Sequence, residues 1–136
     1  MFCKESIIRV RYAETDRMGY VYYGNYATYF EVGRVETLRA LGITYKSLED
    51  EGIMLPVLEL QTKYFLPAHY DDELIIKTTI PVMPSVRIKF EYETWRGDQQ
   101  LNSAWTELVF VNRQTNKPTK CPDHITDSLK EYFTLK

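Results

Sequence analysis

Asp16 stands in a run of small and polar residues, Ala13-Glu14-Thr15-Asp16-Arg17-Met18-Gly19, which continues through Tyr20-Val21-Tyr22-Tyr23-Gly24-Asn25-Tyr26 into a segment of helical periodicity. A carboxylate placed just ahead of a helix N-terminus has unpaired backbone N–H groups and the positive end of the helix dipole beside it. Those are the parts that acyl-transfer chemistry needs: a group that attacks a carbonyl or takes a proton from water, and N–H donors that meet the oxyanion as it forms. On turn chemistry alone Asp16 reads first as an Asx-turn or capping residue, ahead of a catalytic role. Gly19 and Gly24 permit unusual backbone angles and let a substrate come close to the main chain. Tyr22 and Tyr26 read first as large packing anchors where a helix meets a sheet, and they are also candidate substrate contacts.

The elements that would hold this loop can be read on either side of it. Ser6 to Tyr12 alternates, with Ile8, Val10 and Tyr12 facing one way and Arg9 and Arg11 the other, as in a half-buried strand. From Asn25 to Leu41 the period becomes helical, and Tyr26, Tyr29, Phe30, Gly33, Thr37, Ala40 and Leu41 form one face. Asn25 is the expected N-cap and Gly42 the expected stop. The small residues Gly33 and Ala40 on that face would let the helix lie close to a sheet. Glu31 and Arg34, three apart, suggest an ion pair on the helix surface.

Strands dominate the rest. Thr44 caps a short helix that ends at Gly52, and Met54 to Phe65 forms a long apolar-rich run with Pro56 near its start. Glu73 to Val82 and Val86 to Trp95 alternate, the latter with Val86, Ile88, Phe90 and Tyr92 opposite Arg87, Lys89, Glu91 and Glu93. Gly97-Asp98 turns the chain into Leu101 to Asn112, and Thr126 to Phe133 reads as a short closing helix. The connections are too short for parallel crossovers, so the expected fold is α+β in one domain over residues 1–136. One long central helix would pack on a curved, largely antiparallel sheet of five to six strands. A single helix leaves sheet edges bare, which a two-fold partner would cover.

Composition narrows the function. Seventeen basic and nineteen acidic residues, net charge −2, are spread without long runs, so no broad nucleic-acid surface is expected. No segment has the apolar length of a membrane span, and an N-terminus of Met1-Phe2-Cys3-Lys4-Glu5-Ser6 lacks a secretory h-region. Cys3 and Cys121 suit neither a disulfide framework nor a metal site, and His69 and His124 are far apart, so a cytoplasmic protein without metal or cofactor is expected.

Thr15-Asp16 with Gly19, Val21-Tyr22-Tyr23 and Asn25-Tyr26, then Phe30-Glu31 and Arg34, then Tyr64-Phe65-Leu66-Pro67-Ala68 with Tyr70-Asp71-Asp72-Glu73-Leu74, occur in an order that resembles a known family. These are the hotdog-fold acyl-CoA thioesterases of the 4-hydroxybenzoyl-CoA thioesterase type, including the small bacterial thioesterases associated with the Tol-Pal system. The resemblance runs from Arg9 to about Asn112. It implies an acyl-CoA substrate, self-association as a homodimer or homotetramer, Asp16 as nucleophile or general base, and the Tyr23 backbone N–H as the donor to the thioester oxygen. Many Tol-Pal-type relatives carry histidine where this chain has Tyr23, which leaves a backbone role intact and removes any role for a histidine side chain.

Around that centre, Gly19, Tyr22, Gly24, Asn25 and Tyr26 are expected to meet the substrate. Met54 and Pro56 would shape the acyl pocket, and Arg87 and Lys89 would meet the phosphates of coenzyme A. Two other readings stand beside hydrolysis of acyl-CoA: a non-catalytic acyl-CoA-binding module, and a thioesterase acting on acyl carrier protein. A hotdog dehydratase ranks last, because it would need a histidine near Asp16 and the loop has none.

Overall fold

The computed structural model describes residues 1–134. Its strands are β1 (Phe2–Arg9), β2 (Ile53–Met54), β3 (Val57–Tyr64), β4 (Glu73–Ile80), β5 (Arg87–Arg96), β6 (Gln99–Val109), β7 (Val111–Asn112) and β8 (Lys117–Pro118). Its α-helices are α1 (Asn25–Ala40), α2 (Tyr45–Asp50) and α3 (Asp123–Leu129), with 3₁₀ turns at Tyr12–Glu14 and Lys130–Tyr132. Five strands form one sheet in the order β1-β4-β5-β6-β3, every neighbouring pair antiparallel, and β2, β7 and β8 form a small second sheet. The long helix α1 lies across β1, β4 and β5, which is the hotdog arrangement.

The alternation of the central strands decides which face is covered. Leu74, Ile76, Thr78 and Ile80 of β4 and Ile88, Phe90 and Tyr92 of β5 are all buried, while Lys77, Arg87 and Glu91 face out. Gly33 is the point of closest approach. A methyl group on its Cα would overlap Thr78 Oγ1 and stand 3.1 Å from Ile76 Cγ2, so the absence of a side chain sets the separation of helix and sheet. Gly42 stops α1 with φ +82°, and Thr44 caps α2 through a hydrogen bond from the Ser47 N–H.

Five expectations are corrected. The first strand ends at Arg9 rather than Tyr12, because the chain turns there: the Glu14 N–H bonds Arg11 O, and Tyr12 points into solvent. Asn25 is the first residue inside α1 and not its N-cap; Gly24 occupies that position, and the Asn25 side chain reaches away to Glu14. On the helix face Leu38 is buried where Ala40 is exposed. Arg34 makes no ion pair with Glu31. It is buried, and its guanidinium donates to the Tyr92 hydroxyl at 3.1 Å and the Tyr45 hydroxyl at 3.3 Å. Finally, the run from Met54 to Phe65 is two strands, broken at Leu55-Pro56.

Candidate active site

The Asp16 loop is a tight turn held by its own backbone. Asp16 N–H bonds Tyr20 O at 2.7 Å and Gly19 N–H bonds Asp16 O at 3.0 Å, with Gly19 at φ +81° as such a turn requires. Oδ1 of Asp16 accepts the N–H groups of Met18 (2.9 Å) and Tyr20 (3.2 Å). The Asx-turn reading is therefore correct as local structure, and it leaves Oδ2 without a hydrogen-bond partner among the described residues. The turn orients the carboxylate and keeps one oxygen available.

Asp16 lines a groove of about 290 Å³ together with Met18, Tyr20, Val21, Tyr23, Tyr26 and the segment Tyr64-Phe65-Leu66-Pro67. Tyr23 belongs to the turn that enters α1, where Asn25 N–H bonds Tyr22 O and Tyr26 N–H bonds Tyr23 O. Among the described residues the N–H of Tyr23 itself has no acceptor. Asp16, with one carboxylate oxygen unengaged, and Tyr23, with its N–H unengaged at a helix start, thus line one mostly apolar groove, and these are the groups needed to add water to a carbonyl and stabilise the resulting oxyanion. Tyr23 is two-thirds exposed, and its ring leans on that of Tyr22 with the centroids 4.8 Å apart.

A model of the thioesterase-like superfamily matches residues 10–129. The chain belongs to that superfamily. Among its relatives, the acyl-CoA thioesterase YbgC of Haemophilus influenzae is 31% identical over 119 residues, covering 87% of this chain and 88% of that protein. The acyl-CoA thioester hydrolase YbgC of Escherichia coli O157:H7 is 30% identical over 125 residues, 91% of this chain and 93% of that one. Among solved structures, the DHNA-CoA thioesterase of Staphylococcus aureus superposes with a TM-score of 0.84 at 34% identity, over 98% of this chain and 85% of that one. This protein is accordingly a hotdog-fold enzyme that hydrolyses thioesters, and none of its described helices is long and apolar enough to cross a membrane.

Within this thioesterase the expected site residues divide. Asp16, Tyr23 and Tyr26 line the groove, and Gly19, Tyr22, Gly24 and Asn25 lie in the same loop and helix start. A side chain at Gly24 would press on the Tyr22 ring, with the nearest ring atom 2.8 Å away. Met54 and Pro56 line a different and larger cavity of about 500 Å³, with Tyr45, Leu48 and Val111, so within the chain they do not reach the groove. Arg87 and Lys89 are not at the groove either. Arg87 donates to Glu107 at 2.6 Å, while Lys89 sits 5.0 Å from the centre of the Trp105 ring and 3.9 Å from Glu91.

The sequence reading missed the groove wall at Tyr64 to Pro67 as substrate-facing, although the segment was part of the resemblance. It also placed histidine away from the loop. In the fold His69 comes beside it, pairing with Tyr20 as an isolated bridge and meeting its ring edge-on at 5.4 Å. Asp72 lies behind that contact and accepts the His69 N–H at 2.8 Å and Arg96 Nη1 at 2.9 Å. Partial burial alone would raise the pKa of Asp72, but the His69 N–H and the Arg96 guanidinium outweigh it and hold the carboxyl below its usual value.

Such a depressed carboxylate contributes stability above its unfolded pKa of about 4, and that contribution disappears as pH falls through the folded value. Asp72→Asn is therefore expected to lower the thermal midpoint near neutral pH, with the gap to wild type narrowing as the melts are carried below about pH 4. A gap that stays constant with pH would remove this linkage.

Proposed function

We propose that this thioesterase hydrolyses acyl-CoA with Asp16 as its catalytic carboxylate and the Tyr23 N–H as its oxyanion donor. The observation that carries the reading is that Asp16, with Oδ2 free, and Tyr23, with its N–H unengaged, line the same groove among the described residues. Acting as general base, Asp16 takes a proton from water while the water oxygen bonds to the thioester carbonyl carbon. The carbonyl oxygen becomes an oxyanion on the Tyr23 N–H; the intermediate then collapses, the C–S bond breaks, and the thiolate of coenzyme A leaves beside the free acid. Acting as nucleophile, the same oxygen forms a mixed anhydride that water cleaves. One donor of this kind typically contributes about 10²- to 10³-fold and a general base about 10²- to 10⁴-fold, sufficient for turnover with a leaving group as good as a thiolate.

The relatives named for acyl-CoA and DHNA-CoA support a coenzyme A ester as substrate. We also propose a homodimer built on β3, the edge of the sheet that α1 leaves uncovered. Val57, Leu58 and Leu60 are each close to half exposed there, and among the described residues the outer edge of the strand pairs with no other strand. A cytoplasmic setting, where Cys3 and Cys121 remain thiols, completes the proposal.

The test is thiol release followed with a chromogenic reagent across short, medium, long and aromatic acyl-CoAs. Release that rises with enzyme concentration and favours one acyl class supports the reading. No release from any of them would overturn coenzyme A as the carrier and favour acyl carrier protein.

A further inference from the structure

Glu14, two residues ahead of Asp16, is a buried carboxylate that the hydrolytic chemistry above does not use. Its side chain and its carbonyl both leave the loop for other elements. Oε1 accepts the Arg11 N–H at 2.8 Å and the Tyr29 hydroxyl at 2.9 Å, and Oε2 accepts Arg11 Nη2 at 2.9 Å and Nε at 3.3 Å. The main-chain oxygen of Glu14 accepts the Tyr22 N–H at 2.9 Å and Asn25 Nδ2 at 2.8 Å. Six donors on Arg11, Tyr22, Asn25 and Tyr29 thus converge on one residue.

These partners flank the groove residues Asp16 and Tyr23 in the chain. Arg11 belongs to the turn that leads into the Asp16 loop, Tyr22 precedes the oxyanion residue Tyr23, and Asn25 and Tyr29 are in the first two turns of α1. Only Thr15 separates Glu14 from the Asp16 carboxylate on one side, and Tyr22 directly precedes the residue of the donor amide on the other. Tyr29 is itself buried, with its ring edge-on to Tyr26 in the groove wall, so its hydroxyl has no water to exchange for the Glu14 bond. An unmade bond at this depth would cost the desolvation of both groups, which makes the strut stiff.

We propose that Glu14 and Tyr29 are positioning residues: their bond fixes the Asp16 loop against α1 and so sets the distance between the base and the oxyanion donor. The proposal rests on the reading of Asp16 as the catalytic carboxylate. Neither residue lines the groove, and the fold has other anchors for the loop, including the Val21 N–H on Ala68 O at 2.8 Å. Loosening the strut should leave a folded enzyme with a misaligned pair, and misplacement by about 1 Å costs on the order of 10²-fold.

Tyr29→Phe removes the hydroxyl and keeps the ring, and Glu14→Gln keeps an oxygen for Tyr29 while releasing the Arg11 guanidinium. The experiment measures kcat, KM and thermal midpoint for both variants, for Asp16→Asn, and for Asp16→Asn combined with each of them. The expected result is a kcat lower by about 10- to 100-fold in Tyr29→Phe with KM little changed, a smaller fall in Glu14→Gln, and most of the Tyr29→Phe effect lost in the Asp16→Asn background. Wild-type kcat in a folded Tyr29→Phe, or an equal fall in both backgrounds, would overturn the positioning role while leaving Asp16 in place. Wild-type kcat in Asp16→Asn would instead overturn the catalytic reading on which the proposal stands. If Tyr29→Phe fails to fold, Glu14→Gln in the two backgrounds decides by the same comparison.

Discussion

Asp16→Asn is expected to lower kcat by about 10²- to 10⁴-fold, the range for a lost general base, with the thermal midpoint close to wild type. The substitution is well suited to the site because the Asx turn uses only one oxygen. The amide oxygen of asparagine can keep the bonds from the Met18 and Tyr20 N–H groups, which places its NH₂ where Oδ2 was. That position then holds a donor with no capacity to accept a proton or to attack carbon. A stopped assay with the best acyl-CoA from the substrate panel gives kcat and KM, and a melt gives the fold. Activity within a few-fold of wild type would take Asp16 out of the mechanism; a fall accompanied by collapse of the melt would mean that the turn, rather than the chemistry, had been lost.

Single-turnover hydrolysis in ¹⁸O-water would then separate the two roles of the carboxylate. A nucleophilic Asp16 acquires label in its own side chain once the mixed anhydride is cleaved at the aspartyl carbon, and retains an unlabelled oxygen if water attacks the acyl carbon. A general base never exchanges. Label recovered on Asp16 would therefore decide for the covalent route.

What could be read in the chain beforehand follows a physical division between local and distant causes. The strands β4 and β5 were legible because period-two alternation is imposed residue by residue, and Leu74, Ile76, Thr78 and Ile80 do point inward as their spacing requires. The ends at Gly42, Thr44 and Gly52 were legible because caps and positive φ angles are satisfied within a few residues. Arg34 was misread because its partner Tyr92 lies 58 positions away, and nothing in the helix itself indicates that a guanidinium will be buried against a tyrosine hydroxyl. Tyr12 was misread because a strand pattern cannot show where Glu14 will turn the chain by bonding the Arg11 N–H. The spacing of Arg11 and Glu14, three apart at the start of a loop, was the signal for that contact.

The site divides in the same way. The Asp16 turn and the helix start are sequence neighbours, so their meeting was foreseeable from the loop and helix alone. The wall from Tyr64 to Pro67 and the approach of His69 to Tyr20 depend on strand order, with Phe65 and Leu66 N–H groups both bonded to Leu101 O near the start of β6. Met54 and Pro56 illustrate the converse: an apolar strand start reads as a pocket wall, and the fold sends it to a cavity against α2.

Gly33→Ala is expected to destabilise the protein by about 1–3 kcal/mol, the usual cost of overpacking, even though alanine is the better helix former by about 1 kcal/mol. The sign is decided by what lies below. The new methyl would overlap Thr78 Oγ1, an atom on a buried strand that cannot swing into solvent, and would come within 3.1 Å of Ile76 Cγ2. Helix or strand must therefore shift, and either movement disturbs a core in which Phe30, Ile76 and Ile80 are fully enclosed. Among the described residues Thr78 Oγ1 has no hydrogen-bond partner, so removing it forfeits no hydrogen bond. Thr78→Ala should accordingly restore at least half of the loss when combined with Gly33→Ala, a coupling that a double-mutant cycle of denaturant midpoints would measure directly. An undiminished loss in the double variant would mean that the contact at Gly33 does not set the helix-to-sheet distance; a recovered midpoint would locate that constraint in this one pair, one turn further along the helix than Tyr29 and on the same packed face.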